Sequence, residues 1–279
     1  MHRQVHRRDG GGAIALRATG SRRSGARWWL AIPLLALFVM ACAGDDASDD
    51  LTVFAAASLR DVVEDLETAW LRDHPDLPLT VATEASNVLA AQIREGAPAD
   101  VLMSADTVRP QELSDDGLTA AGPITFARNR IALVAPTDAG AVHAAADLAV
   151  PGLRLVGVSA AAPIARYASQ AVEQLAATMP RPQEFSEAVA ANVVSREDNV
   201  RAALAKVELG EGDAAFVYAT DLLGSEDVRE VPLPAAVDVR AEYAAVQISE
   251  RAGAAAFVAW LGEPRASAVL ASAGFEAGR

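Results

Sequence analysis

The chain is poor in the residues that carry most metal and nucleophile chemistry. It has a single cysteine, Cys42, in 279 residues. That excludes a disulfide within the chain and any metal site built on several thiolates. Of four histidines, two lie in the N-terminal arm, and His74 and His143 stand alone. A zinc or haem site therefore finds no ligand cluster. Lysine is reduced to Lys206 against 23 arginines, a bias of codon usage and not of chemistry. Positive charge is scarce as a whole: 24 basic groups face 37 acidic ones. Residues 1–42 hold seven Arg and one Asp, so the remainder carries 17 basic against 36 acidic groups, net −19. Such a surface lacks the basic footprint of a nucleic-acid binder.

What is present begins with an export signal. Arg22, Arg23 and Arg27 precede the apolar run Trp28–Ala41. That run suits a signal peptide and falls short of the roughly 20 residues a membrane-spanning helix needs. "VMAC" places Ala41 before Cys42 and resembles a bacterial lipobox, with Cys42 as the lipidated first residue of the mature chain. "SRR" at 21–23 weakly resembles a twin-arginine signal but lacks the apolar residues that follow one. Residues 43–50, "AGDDASDD", are small and acidic, as in a flexible tether. An exported, lipid-anchored protein is expected, on the outer face of the cytoplasmic membrane or in the periplasm.

From residue 51 strand-like and helical runs alternate. Strands are predicted over 51–56, 79–83, 100–105, 130–136, 154–159, 192–195, 214–220, 229–233 and 243–249. Helices are predicted over 59–70, after Ser86, over 163–175 and 199–209, and as a C-terminal pair split at Pro264. Pro163 suits a first helical turn, and Gly210 a helix stop. The alternation predicts an α/β fold with largely parallel sheets.

Several strand-to-helix junctions share a form. They are Ala56-Ala57-Ser58, Ala85-Ser86-Asn87, "AAAP" at 160–163 and Asp198-Asn199. Helix N-termini expose unpaired N–H groups and partial positive charge, so each junction is a potential anion site. In open α/β sheets such junctions gather at the carboxyl ends of the strands. Small side chains let an anion approach the backbone, and a serine adds a donor without charge. Each junction taken singly also reads as an ordinary cap, and Ser58-x-x-Asp61 has the form of a capping box. On spacing alone the chain is an exported α/β protein that could bind an anion.

A resemblance sharpens this. "VFAAASL" (53–59), "QIREGAPADVLMSAD" (92–106), "FARNRIALVAP" (126–136), "EDNVRAALAKVELGEGDAAFVYATDLL" (197–223) and the terminal "GF" (274–275) together resemble the periplasmic molybdate-binding proteins of ABC importers, in family order. The resemblance implies a two-lobed, type II periplasmic-binding-protein fold with the ligand cleft between the lobes. Residues 1–42 would be the signal peptide and 43–50 the tether. Lobe 1 would be 51–130 plus 241–279, and lobe 2 would be 131–240. By motif, the ligand-binding residues would be Ser58, Ser86, Val200 through its N–H, Tyr218 through its hydroxyl, and Ile164 at the helix after "AAAP". These residues would meet the metal only through the oxyanion oxygens. The protein would be a non-enzymatic carrier without a cofactor, delivering molybdate, and tungstate as well, to a permease and its ATPase. It would be a monomer anchored to the membrane through Cys42, with no nucleic-acid partner.

One departure stands out. Glu84 lies two residues before Ser86, and along an extended strand the two side chains share a face. An ionised carboxylate facing a dianion would repel it, so Glu84 has to turn away or be paired; a place on the lobe surface is the favoured reading, and Arg60 is the candidate partner if it is paired. The alternatives are a carrier of sulfate or phosphate and an oxyanion sensor on the same fold. A serine hydrolase finds no support, since there is no G-x-S-x-G and neither His74 nor His143 lies in a junction. The anchor has a direct test. Cys42→Ala should shift the protein from the membrane to the soluble fraction on cell fractionation, and unchanged membrane association would refute the lipobox.

Overall fold

The computed structural model describes residues 50–138 and 140–278. The signal segment and Cys42 lie outside the described residues. The described residues fall within one compact unit.

In chain order the elements are β1 (Leu51–Ala56), α1 (Arg60–Asp73), β2 (Leu79–Glu84), α2 (Ser86–Arg94), β3 (Val101–Ser104), α3 (Val108–Asp115) and β4 (Ile124–Pro136). There follow β5 (Leu155–Val158), α4 (Pro163–Ala177), α5 (Pro182–Ala191), β6 (Val193–Glu197), α6 (Val200–Glu208), β7 (Ala214–Tyr218), β8 (Val228–Val231) and β9 (Arg240–Gln247). The chain closes with α7 (Ala252–Leu261), α8 (Pro264–Ser272) and β10 (Glu276–Ala277).

The strands run in the order β2-β1-β3-β9-β4-β7-β5-β6, with β8 and β10 also paired to β4. Pairing is parallel at the two ends, between β1 and both β2 and β3, and between β5 and both β6 and β7. In the middle β9 runs antiparallel to β3 and β4, and β7 and β8 run antiparallel to β4. The expectation of largely parallel sheets thus holds only for the βαβ units. The two long strands β4 and β9 break it, β9 by pairing antiparallel to β3 as well as to β4, and the first half of β4 carries too little unbroken apolar sequence to announce a strand.

β4 also divides the sheet. Up to Arg130 it pairs with β9, and from Ile131 onward with β7 and β8. One strand therefore belongs to two strand groups, which gives the two-lobed architecture. Central strands read as continuous apolar runs because both faces are covered: Val101–Ser104 and Ala214–Tyr218 are buried throughout.

The helices bury the stripes that their periodicity foretells. Val62, Leu66 and Trp70 of α1, Ile164, Tyr167 and Leu175 of α4, and Val200, Leu204 and Val207 of α6 face inward. Trp70 packs edge-on to Phe257 and Trp260, and its indole donates to the Leu77 carbonyl at 2.7 Å. Gly210, at φ 71°, follows α6 in the left-handed region where a side chain would be strained. Two helices escape the sequence signal. α3 and α5 each bury only two residues, Pro110 with Leu113 and Phe185 with Val189, too few to set a period.

Candidate functional site

The five residues marked by motif, 160 positions apart at the extremes, come together. Ser58, Ser86, Ile164, Val200 and Tyr218 line one small cavity, with Ala57, Ala85, Ala105, Ala162 and Asn199 among its other walls. Ser58, Ser86, Ile164, Val200 and Tyr218 are each no more than 4% exposed. The cavity measures about 20 Å³, which is room for little more than a water molecule. That scale excludes a drug-sized organic solute.

Four helical starts point at this space: the 3-10 turn Ala57–Leu59 ahead of α1, and the N-termini of α2, α4 and α6. The first three have no side-chain cap. Their leading N–H groups are left for whatever occupies the cavity, and their partial positive charge favours an anion. Only α6 is capped: Asn199 Oδ1 accepts from the Ala202 N–H at 3.0 Å. That cap leaves the N–H of Val200 outside its reach.

Neither serine acts as a cap. The capping-box reading of Ser58 fails, because α1 begins after Leu59 and Ser58 Oγ lies 2.7 Å from the Tyr243 hydroxyl instead. Ser86 Oγ accepts from the Ala105 N–H at 3.1 Å. A serine oxygen supplied with a proton from behind keeps its own O–H to donate forward. Tyr243 can serve Ser58 as the Ala105 amide serves Ser86. Tyr218 packs edge-on against Tyr243, and its hydroxyl has no hydrogen-bond partner among the described residues. Burial pushes both phenols well above their ordinary value, so each remains a neutral donor.

Glu84 is resolved differently from expectation. Arg60 reaches Thr83 Oγ1, not Glu84. Glu84 Oε1 accepts from the Ala85 N–H and from Asn199 Nδ2, both at 2.7 Å. The carboxylate is thus turned out of the cavity and ties β2 to the cap of α6. A second tie runs alongside. Arg201 of α6 pairs with Asp61 of α1, and its Nε lies 3.0 Å from Asp221 Oδ1. The latter contact has ion-pair distance but not hydrogen-bond direction, so neither atom gains a hydrogen bond from it. Burial raises the Asp221 carboxyl to about 7 against the pull of Arg201. Tyr243, Asn199 and Arg201 carried no local signal of these contacts. Their partners lie 185, 115 and 140 residues away.

No cluster of three or more His, Cys, Asp or Glu side chains able to hold a metal occurs among the described residues. The cavity offers neutral donors, small walls and helix starts. That is the chemistry of reversible anion capture.

Residues 51–276 match the bacterial extracellular solute-binding proteins. The chain belongs to that family. The solute-binding protein is not an enzyme, and its family is an exported one. Among its relatives is the molybdate-binding protein ModA of Mycobacterium bovis, 31% identical over 230 residues that cover 81% of this chain and 84% of the relative. The solved periplasmic molybdate-binding protein of Azotobacter vinelandii superposes with a TM-score of 0.66 at 22% identity, covering 81% of this chain and 98% of that one. The sulfate-binding protein SubI of Mycobacterium tuberculosis gives 0.69 at 18% identity, covering 82% and 86%. At these identities the two structures speak for the fold alone: the solute-binding protein has the two-lobed periplasmic-binding-protein architecture. No helix among its described residues is long and apolar enough to cross a membrane.

The buried carboxyl makes a pH-dependent prediction. Asp221 binds its proton more tightly folded, at about 7, than at the ordinary 3.8. Between these values the unfolded chain has lost a proton that the folded chain keeps, so stability falls as pH rises through the window. Asp221→Asn cannot ionise. Its melting temperature should gain on the parent's as pH goes from about 4 to 7, and a constant difference between the two would refute the assignment.

Proposed function

We propose that the protein captures molybdate, and tungstate with it, outside the cytoplasm and hands it to an ABC permease, with the chain tethered to the membrane through lipidated Cys42. Residues 51–130 with 241–279 and residues 131–240 would close on the ion as two lobes. The observation that carries this reading is the convergence of Ser58, Ser86, Ile164, Val200 and Tyr218 on one small, neutral, donor-lined cavity. The relatives named molybdate-binding over four-fifths of the chain support the choice among oxyanions. The ion is cargo, and the protein meets the metal only through its oxygens.

In this reading Ser58, Ser86 and Tyr218 donate through hydroxyls, and Ile164 and Val200 through backbone N–H groups at the starts of α4 and α6. A dianion leaving water loses its hydration shell, and each fixed donor replaces one lost hydrogen bond. No side chain among them has to move a proton. The parting of the walls needed to admit an ion larger than a water would come from movement of the lobes about β4 and β9.

Calorimetric titration of the chain from Ala43 onward with molybdate, tungstate, sulfate and phosphate tests the proposal. Molybdate and tungstate should bind most tightly. Preference for sulfate would make the protein a sulfate carrier, and no binding of any of the four would overturn the oxyanion reading. Tyr218→Phe isolates one donor without touching a helix cap. A hydrogen bond to a charged group is worth about 1.5–3 kcal/mol, so affinity should fall roughly tenfold to a hundredfold or slightly more. The melting temperature of the unliganded protein should stay near that of the parent. Parent-like molybdate affinity in Tyr218→Phe would show that the phenol is not a ligand.

A further inference from the structure

A second and much larger cavity, about 990 Å³, lies between α4 and α5 over β5 and β6. Its cause is legible in the sequence. Ala165, Ala168 and Ala176 of α4 face Ser186 and Ala190 of α5, and side chains this short cannot fill the gap between two helices. The floor is apolar, with Val156, Val158 and Phe216 rising from the strands. The cavity is a groove open to solvent along one side: Ser169, Glu173, Gln183, Ala190 and Arg196 of its walls are exposed, while Leu155, Val156, Val158 and Phe216 of its floor are buried. An opening of this size and lining is suited to an apolar guest.

The two charged side chains in its wall are separated along its length. Arg196 of β6 pairs in register with Gly157 of β5, and a methyl group added at Gly157 would come within 3.3 Å of its Nη1, so the guanidinium lies over the end of β5. Arg196 makes no hydrogen bond or ion pair among the described residues, in a chain where acidic groups far outnumber basic ones. Glu173 lies nine residues beyond Ile164 along α4, about 13 Å at the helical rise. Between Ile164 and Ala176 the cavity follows α4 for about 18 Å. A long apolar slot with an unpaired cation toward one end matches a single apolar chain with an anionic head.

We propose that this cavity is a second binding site, for a single-chain amphiphile with a carboxylate head, the chemistry of a free fatty acid. The carboxylate meets Arg196, and the chain runs between α4 and α5 toward Ala176. Ile164 lines this cavity as well as the small one, so the first turn of α4 is the wall between them. The proposal does not depend on which ion the small cavity takes.

The delipidated protein is titrated with the fluorescent fatty acid cis-parinaric acid and then with myristate and myristyl alcohol as competitors. Saturable one-to-one binding, displaced by myristate, is expected. Ala168→Trp from one wall and Ala190→Phe from the other should each reduce it at least tenfold. Arg196→Gln should weaken myristate about tenfold and leave the alcohol unchanged, since only the acid offers a charge-assisted hydrogen bond. Absence of saturable binding in the parent overturns the site. So does full binding by either filled variant that melts at or above the parent temperature. Equal affinity for acid and alcohol, unaltered by Arg196→Gln, overturns the anionic head.

Discussion

An anion taken out of water must find a fixed donor for each hydrogen bond it gives up, and a protein with few basic side chains has to find those donors elsewhere. Helix starts supply them, because their first N–H groups have no partner within the helix. The fold serves that constraint. Parallel βαβ units put the starts of α1, α2, α4 and α6 at the carboxyl ends of their strands. Strand β4, shared between two strand groups, brings the two sets of ends face to face. The small residues Ala57, Ala85, Ala105 and Ala162 then keep the space between them open.

Behind the donors stands a second layer that holds them. Tyr243 orients Ser58, the Ala105 amide orients Ser86, and Tyr243 also packs against Tyr218. Asn199 does two things at once, capping α6 and holding the Glu84 carboxylate away from the cavity. Arg201, the second residue of the same helix, spans from α1 to the buried Asp221. The start of α6 is therefore one place where side chains bond the two strand groups to each other.

Much of this was legible from local pattern. The apolar runs of β1, β3 and β7, the stripes of α1, α4 and α6, and the breaks at Gly210 and Pro264 all have short-range causes in burial and backbone geometry. Elements with few buried residues, α3 and α5, left no period to read, and β4 disclosed only its second half. The gathering of Ser58, Ser86, Ile164, Val200 and Tyr218 followed from family motifs and not from spacing. The role of Ser58 as an apparent cap, and of Arg60 as partner to Glu84, were misread for one reason. Each reading considered sequence neighbours, while the decisive partners, Tyr243 and Asn199, come from distant segments brought near only by the completed fold.

The direction of the hydrogen bonds around the small cavity has a consequence for selection among solutes. The amide oxygen of Asn199 already accepts from Ala202, the Ser86 oxygen already accepts from Ala105, and the Glu84 carboxylate is engaged outside the walls. Such a lining has fixed N–H donors and no free carboxylate or amide oxygen, so only its hydroxyls, on Ser58, Ser86 and Tyr218, can receive a proton. On the proposed reading, an oxyanion that still carries a proton near neutrality, as phosphate does, would have to turn one of these hydroxyls from donor to acceptor or leave its O–H unmet, and an unmet buried donor costs about 1–3 kcal/mol. A fully ionised tetrahedral anion bears no such proton. The polarity of the lining would thus sort solutes by protonation state, a criterion separate from their size and total charge.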